Sequence, residues 1–275
     1  GSENPLSLPK EHSGITVSVP VEFRLSSHAR EHSAMPARQP TVIQTPRRVY
    51  GRVSRWYARN VRAFPWRGET DPYRVWVSEI ILVQTTAAVG IERYRRFLKR
   101  FPTLRSLSRA PVDDVMKEWE GLGYYHRARH LHRAAQIIAT QHAGKFPSDY
   151  DAILALPGVG DYCAAAIYNF CFDGHCPPLD TNVARVGARL FGIAGDVRAP
   201  KTRRAIHERL TELMKVGKGS IWTDALIDLG ATVCLPRSPR CDICPLGDLC
   251  VAHARGLETT IGLPQPHMPR KVVNV

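Results

Sequence analysis

From residue 46 to about residue 255 this chain reads as one helical segment after another, and strand-like alternation of comparable strength appears nowhere. That pattern limits the fold more than any other feature. Helices in series must bury their apolar stripes on one another, so the fold class is all-α, with roughly ten short helices. "RVYGRVSRWYARNVRAF" carries Val49, Val53, Trp56, Tyr57 and Val61 near the helical period. "DPYRVWVSEIILVQTTAAVGIERYRRFLKRF" opens on Asp-Pro, a good helix start, and meets no further proline until Pro102. Later segments are bounded by Gly or Pro, or begin at a Ser, Asp or Thr able to cap them. Residues 1 to about 45 are rich in Pro, Ser, His and Glu without a sustained period, which predicts a mostly disordered tail.

Within "VWVSEIILVQTT" Glu79 is the single carboxylate, and no rotation of the helix takes it far from apolar neighbours. A buried carboxylate costs free energy unless it is paired, hydrogen-bonded or protonated. Glu79 is therefore either the structural partner of a cation or a tuned acid.

Charge narrows the partners. The chain has 38 Lys and Arg against 25 Asp and Glu, a net charge of +13, which points first to nucleic acid and second to an acidic membrane surface. Residues 47–67 hold seven arginines, Arg67 among them, and no acid, a distribution that favours phosphate contact over an ordinary solvated face. No apolar run approaches the roughly 18 residues of a membrane span, which predicts a soluble protein. The absence of a hydrophobic signal core near the N-terminus predicts one that is not secreted.

Four of the seven cysteines, Cys234, Cys241, Cys244 and Cys250, crowd into the spacing C-x6-C-x2-C-x5-C. Such a loop can wrap one tetrahedral metal ion or a cubane cluster, and spacing alone leaves both open. Between the first two lies "LPRSPR", which sets Arg237 and Arg240 on a pinned loop as candidate phosphate contacts. "LPGVGDYCAAAI" is a Gly158-Val159-Gly160 turn running straight into a helix, able to present several N–H groups together to a phosphate. Downstream, "CPPLDTNVARVGARLFG" puts Asp180 at a helix start, where it is either an N-cap or, if Thr181 caps instead, free for other work.

Taken in order, "PWR" at 65–67, "DPYRVWVSEIIL", "GLGYYHRARHLHRAA", "LPGVGDY", "LDTNVARV" and the four-cysteine loop resemble the helix-hairpin-helix DNA glycosylases that carry an iron–sulfur cluster, and within them the MutY-type adenine DNA glycosylases. The resemblance implies a 4Fe–4S cluster rather than zinc, held by the four cysteines. It also implies a six-helix barrel domain over 81–189 and a helical cluster domain built from residues 46–80 and 190–255, with 256–275 as a tail. It matches Glu79 to the general acid and Asp180 to the carboxylate facing the sugar, with Tyr162 and Asn182 as helpers. Gln84, followed by Thr85, matches the residue inserted where the target base leaves the stack, and Tyr124 a wedge beside the opposite base. The turn at Gly158–Gly160 matches the phosphate-gripping hairpin. The implied partner is double-stranded DNA containing a mismatch. The implied protein is a monomer, cytoplasmic and associated with a bacterial nucleoid.

The chemistry agrees with this assignment. Adenine is a poor leaving anion and needs a proton on its ring, while the sugar needs negative charge nearby as oxocarbenium character develops. A carboxyl in apolar surroundings keeps its proton toward neutral pH, which suits Glu79, whereas Asp180, among polar neighbours, is expected to stay ionised. Bifunctional relatives such as endonuclease III place a lysine nucleophile directly after the hairpin. Here Tyr162 stands there, and no lysine occurs between Lys145 and Lys201, so the expected enzyme is monofunctional and leaves an abasic site. Three departures qualify the match: Val83 stands where the adenine family usually has glutamine, Thr181 replaces a common glycine, and the sequence ends about 25 residues after Cys250, short of the domain many adenine glycosylases use to sense 8-oxoguanine, through truncation or because this branch never had one. "QTTAA" resembles thymine mismatch glycosylases, so a thymine or uracil glycosylase is the rival reading, and a non-catalytic iron–sulfur DNA-binding protein is the third.

Overall fold

A computed structural model describes residues 45–83 and 85–264. Gln84 and the two chain ends lie outside the described residues, and with them all but Thr45 of the expected N-terminal tail. Every regular element among the described residues is helical: α1 Pro46–Asn60, α2 Pro72–Leu82, α3 Ala87–Arg100, α4 Leu104–Arg109, α5 Val112–Glu118, α6 His126–Gln141, α7 Tyr150–Leu154, α8 Asp161–Cys171, α9 Thr181–Phe191, α10 Pro200–Met214, α11 Gly219–Thr232 and α12 Val251–Ala254, with 3-10 turns at Cys241–Ile243 and Gly247–Leu249. No helix among them is long and apolar enough to cross a membrane.

The apolar stripes are buried in two cores. The first runs from Tyr73 to Ile167 and is centred on the fully buried Trp76, Phe97, Phe101 and Trp119. The second joins Val49 and Val53 of α1 to α9, α10, α11 and Ile261, around Trp222. Residues distant in sequence thus meet in one core, because α1 packs against α10 and α11. The cores divide the chain differently from the expected boundaries after 80 and 189: all of α2 packs in the first core, and α9 packs in the second.

Helix starts follow local chemistry. The Asp71 carboxylate accepts the Tyr73 N–H at 2.9 Å ahead of Pro72, and the Asp149 carboxylate accepts from Asp151 and Ala152 at 3.1 Å. One break has no such signal. The proline-free run from Tyr73 to Phe101 divides between Leu82 and Ala87, giving α2 and α3 instead of one continuous helix. The carbonyls left open at the end of α2 are satisfied from a distance: the buried Arg127 of α6 donates from Nη1 to Ile80 O and to Val83 O, both at 2.7 Å. That break leaves a gap beside a cavity between the two cores.

Candidate active site

The cavity has a volume of about 300 Å³ and is walled by α2, α8, α9, α11 and the segment linking α1 to α2. Into it project Glu79 from α2, Tyr162 from the first turn of α8, and Asp180 and Asn182 from the start of α9. Glu79 is 7% exposed, and the Tyr162 hydroxyl hydrogen-bonds to its carboxyl. Burial pushes the Glu79 carboxyl up from 4.5 to about 7; the nearby charge of Asp180 adds to the rise, while the Tyr162 bond and Arg67 oppose it. Burial also pushes the Tyr162 phenol well above its ordinary value, so it stays a neutral donor.

Asp180 is itself the N-cap of α9, and Thr181 is the first helical residue, so the cap and the pocket use the same side chain. One oxygen accepts the Val183 N–H at 2.7 Å and the other accepts Asn182 Nδ2–H at 2.9 Å. Burial raises the pKa of Asp180, and the bonds from Val183 and Asn182 hold that rise back.

Asn182 is held in turn. Its Oδ1 accepts from Arg185 Nη2 at 2.8 Å, the same nitrogen donates to Gly230 O at 2.8 Å, and Arg185 Nε donates to Cys234 O at 2.7 Å. A continuous chain of hydrogen bonds therefore leads from the carbonyl of the first loop cysteine to the Asp180 carboxylate.

The opposite wall differs from the sequence reading. Arg67, expected on a phosphate-contacting basic arm, is largely buried against α11. Its Nη2 donates to both oxygens of Asp228 at 3.1 Å, and its Nη1 pairs with Asp224. Arg62 also pairs with Asp228, and the Tyr57 hydroxyl donates to Asp224 at 2.7 Å. Phe64 and Trp66 stack with ring centroids 5.2 Å apart and supply aromatic faces to the cavity. Phe64, Asp224 and Asp228 carry no expectation from the sequence analysis. Asp224 and Asp228 had the signal that flagged Glu79, lone acids in an apolar helix, here "GSIWTDALIDLGAT".

Of the remaining predicted residues, Thr85 lines the cavity and Gln84 lies outside the described residues. Tyr124 is 54% exposed, adopts φ 47° and has the Arg127 guanidinium 5.4 Å from its ring centroid. A non-glycine residue held there is the kind of strain that marks binding loops. Gly158 has φ 77°, and a Cβ on it would meet His130 Cβ at 2.6 Å, so the turn needs glycine on both counts. Val159 is buried beneath the turn, and Gly160 N-caps α8 without a side chain over the open N–H groups.

Cys234, Cys241, Cys244 and Cys250 line one small cavity, a donor set of four sulfurs within tight successive turns. A Cβ on Gly247 would meet Cys241 O at 2.8 Å, so glycine lets the loop wind this closely. Arg189, buried beneath, donates to Cys234 Sγ at 3.3 Å, Leu235 O at 2.6 Å and Pro236 O at 2.7 Å. It pins the stretch on which Arg237 and Arg240 stand exposed. His253 and Glu258 lie beside Cys241, so a mixed donor set exists at that corner, but the four sulfurs together fit a 4Fe–4S cluster.

A buried acid shares this cavity with a second carboxylate, and the cavity reaches the start of the helix that follows the Gly158–Gly160 turn, an arrangement suited to acid-assisted chemistry. The chain belongs to the HhH-GPD superfamily of base excision DNA repair proteins, which residues 77–214 match, and residues 234–250 match the iron–sulfur binding domain of endonuclease III. The adenine DNA glycosylase of Buchnera aphidicola subsp. Acyrthosiphon pisum is 38% identical over 204 residues, 73% of this chain and 57% of that protein. That of Mycobacterium tuberculosis strain H37Rv is 38% identical over 211 residues, 76% and 69% respectively. The human adenine DNA glycosylase is 34% identical over 214 residues, 74% of this chain and 39% of that protein. The chain thus spans little more than half of the Buchnera relative. Among solved structures, a thermostable thymine-DNA glycosylase superposes with TM-score 0.69 at 29% identity, covering 76% of this chain and 97% of that one. Endonuclease III in a non-covalent DNA complex superposes with TM-score 0.62 at 22% identity, covering 78% and 98%, a likeness of fold.

Proposed function

We propose that the protein is a monofunctional DNA glycosylase that removes adenine mispaired with 8-oxoguanine or G from duplex DNA. The observation that carries this reading is Glu79: a carboxyl held near the neutral range by burial, bonded to Tyr162 and sharing a cavity with Asp180. The target nucleotide leaves the stack and its base enters the cavity beside Phe64 and Trp66. Glu79 gives its proton to the purine ring, the bond from base to sugar breaks with both electrons going to the base, and Asp180 stabilises the cation left on the sugar. Water then adds to the sugar and gives up a proton to the Glu79 carboxylate, which leaves an abasic site and restores the acid. Tyr162 and Asn182 orient the two carboxyls. The hairpin at Gly158–Gly160, with Arg237 and Arg240, holds the backbone, while Gln84, Thr85 and Tyr124 occupy the opened stack. Cys234, Cys241, Cys244 and Cys250 hold the 4Fe–4S cluster, which supplies the fixed shape of the loop.

Thymine or uracil opposite G is the second reading. Val83, which caps α2 and is exposed where the adenine family usually has glutamine, and the likeness to the thymine-DNA glycosylase favour it. Single-turnover base release decides between them, on matched duplexes carrying A opposite 8-oxoguanine, A opposite G, T opposite G and U opposite G, each with and without hot alkali. Cleavage only after alkali, fastest for A opposite 8-oxoguanine, is expected. Release of T or U instead refutes the adenine reading, and strand cleavage without alkali refutes the monofunctional one.

A further inference from the structure

The catalytic cavity has a neighbour. Tyr162 lines it and also a second cavity of about 200 Å³, whose other walls are Tyr150 of α7, Asp161 of α8, Pro177 and Leu179 ahead of Asp180, and Arg203, Arg204 and His207 of α10. Three nitrogen-bearing side chains therefore face one carboxylate, that of Asp161. Arg203 donates from Nη2 to Leu179 O at 2.6 Å, which leaves most of its donor fork open to the cavity. Among the described residues neither Arg203 nor Arg204 has a carboxylate at ion-pair distance, and these two line one cavity. His207 stands half-buried behind them, its Nε2 3.9 Å from Cys176 Sγ and its Nδ1 3.5 Å from Thr211 Oγ1. Guanidinium groups left open in a concave, partly desolvated place favour an oxyanion, and their planar fork matches phosphate oxygens.

Position identifies the anion. Leu179 adjoins Asp180 and Asp161 adjoins Gly160, so this cavity lies between the carboxylate that faces the sugar and the turn that grips phosphate. A strand with one sugar over Asp180 and a phosphate on the hairpin runs beside residues that line this cavity. We propose that Arg203 and Arg204, with His207 packed beside them, form a second phosphate site, which takes a backbone phosphate of the target strand between the reacting nucleotide and the hairpin. The proposal rests on the glycosylase reading above, and adds to it a binding site on α10.

Arg204 is exposed and contacts neither carboxyl of the active site, so Arg204→Ala tests the site without touching the chemistry. The probe is a duplex with a tetrahydrofuran abasic analogue opposite G, and its affinity for cluster-loaded full chain is read by anisotropy over a range of salt. Arg204→Ala is expected to reduce the slope of log affinity against log salt by about 0.9, the value of one phosphate contact. Arg105→Ala, an exposed arginine on α4, is expected to leave the slope as it was. A scan of neutral methylphosphonate linkages then locates the contact: at one linkage near the target, its loss and that of Arg204→Ala coincide instead of adding. An unchanged slope, or losses that add at every linkage, overturns the proposal. So does a retained slope accompanied by shifts of the Arg204 side-chain resonances when inorganic phosphate is added to DNA-free protein, since that assigns the cavity to free anion. Failure of wild-type protein to release any base defeats the glycosylase reading instead, and is seen in a separate assay.

Discussion

Replacing Glu79 by glutamine preserves the outline of the side chain and removes the proton that its burial retains. The consequence for stability has a sign and a pH window. With the folded carboxyl at about 7 against an ordinary 4.5, the folded protein keeps a proton that the unfolded chain releases between those values. Stability from this group is therefore fully present below 4.5 and lost as pH rises toward 7. At ~1.4 kcal/mol per pH unit, the difference between 4.5 and about 7 makes that loss ~3 kcal/mol above neutrality. About 1.4 kcal/mol of it has already been lost at pH 5.5, which leaves roughly 2 kcal/mol between there and pH 8. Glutamine does not ionise, so the variant gains on the wild type by that amount across the interval. For a chain of this size roughly 2 kcal/mol is about 4–8 °C in Tm. Calorimetry of both proteins, cluster-loaded, at the two pH values reads it directly, because the cluster contributes equally to each. Base release should fall to background in the variant, and in the wild type it should decline as pH rises above about 7. A Tm gap that is the same at both pH values refutes the argument: Glu79 would then ionise at its ordinary value and could not hold a proton for the base.

Asp180→Asn should retain the helix cap, since asparagine caps nearly as well, and change Tm little; duplex binding should persist while base release collapses, as gel shift and single-turnover assays would report. Gly158→Ala forces φ 77° on a residue with a Cβ and drives it into His130, costing about 1–2 kcal/mol in urea unfolding and weakening duplex affinity. Arg185→Lys loses the forked bonds to Asn182, Gly230 and Cys234; a cost of about 1.5–3 kcal/mol is expected, with base release reduced and duplex affinity kept. Cys244→Ser should lose the visible absorbance of the cluster together with base release, and retention of either would remove this cysteine from the proposed ligand set.

What could be read from the chain alone depended on how local each cause is. Asp71 ahead of Pro72 and Asp149 ahead of α7 announce helix starts, because a cap is made by residues two or three positions away. Glu79 stood out because its apolar neighbours in sequence are also its neighbours in space. The break between Leu82 and Ala87 left no mark, since the group that completes the end of α2 is Arg127, 44 residues beyond Val83. Arg67 was misplaced for the same reason. A run of like charge conceals which members will meet carboxylates, and the partner here, Asp228, lies 161 residues away. Asp224 and Asp228 were legible by the reasoning applied to Glu79, since two acids within an apolar helix each need a partner or a purpose.

The position of Arg185 bears on why a four-cysteine loop accompanies this site. A guanidinium only 6% exposed needs its donors satisfied, and Arg185 finds its acceptors in the Cys234 and Gly230 carbonyls, Asn182 and, at 3.3 Å, Thr181 O. The Cys234 carbonyl belongs to a stretch with little regular structure beyond short 3-10 turns, held from below by Arg189 and wound around four sulfurs. Such a stretch keeps its shape only while something joins those sulfurs, because thiols without metal supply no cross-link. If the loop relaxes, Arg185 loses an acceptor, Asn182 loses the donor that orients it, and Asp180 loses one of its two hydrogen bonds just where burial already raises its pKa. The Asp180 carboxylate is then pushed further toward its neutral form. A metal centre in the loop can in this way set the protonation and aim of a carboxylate that it does not touch.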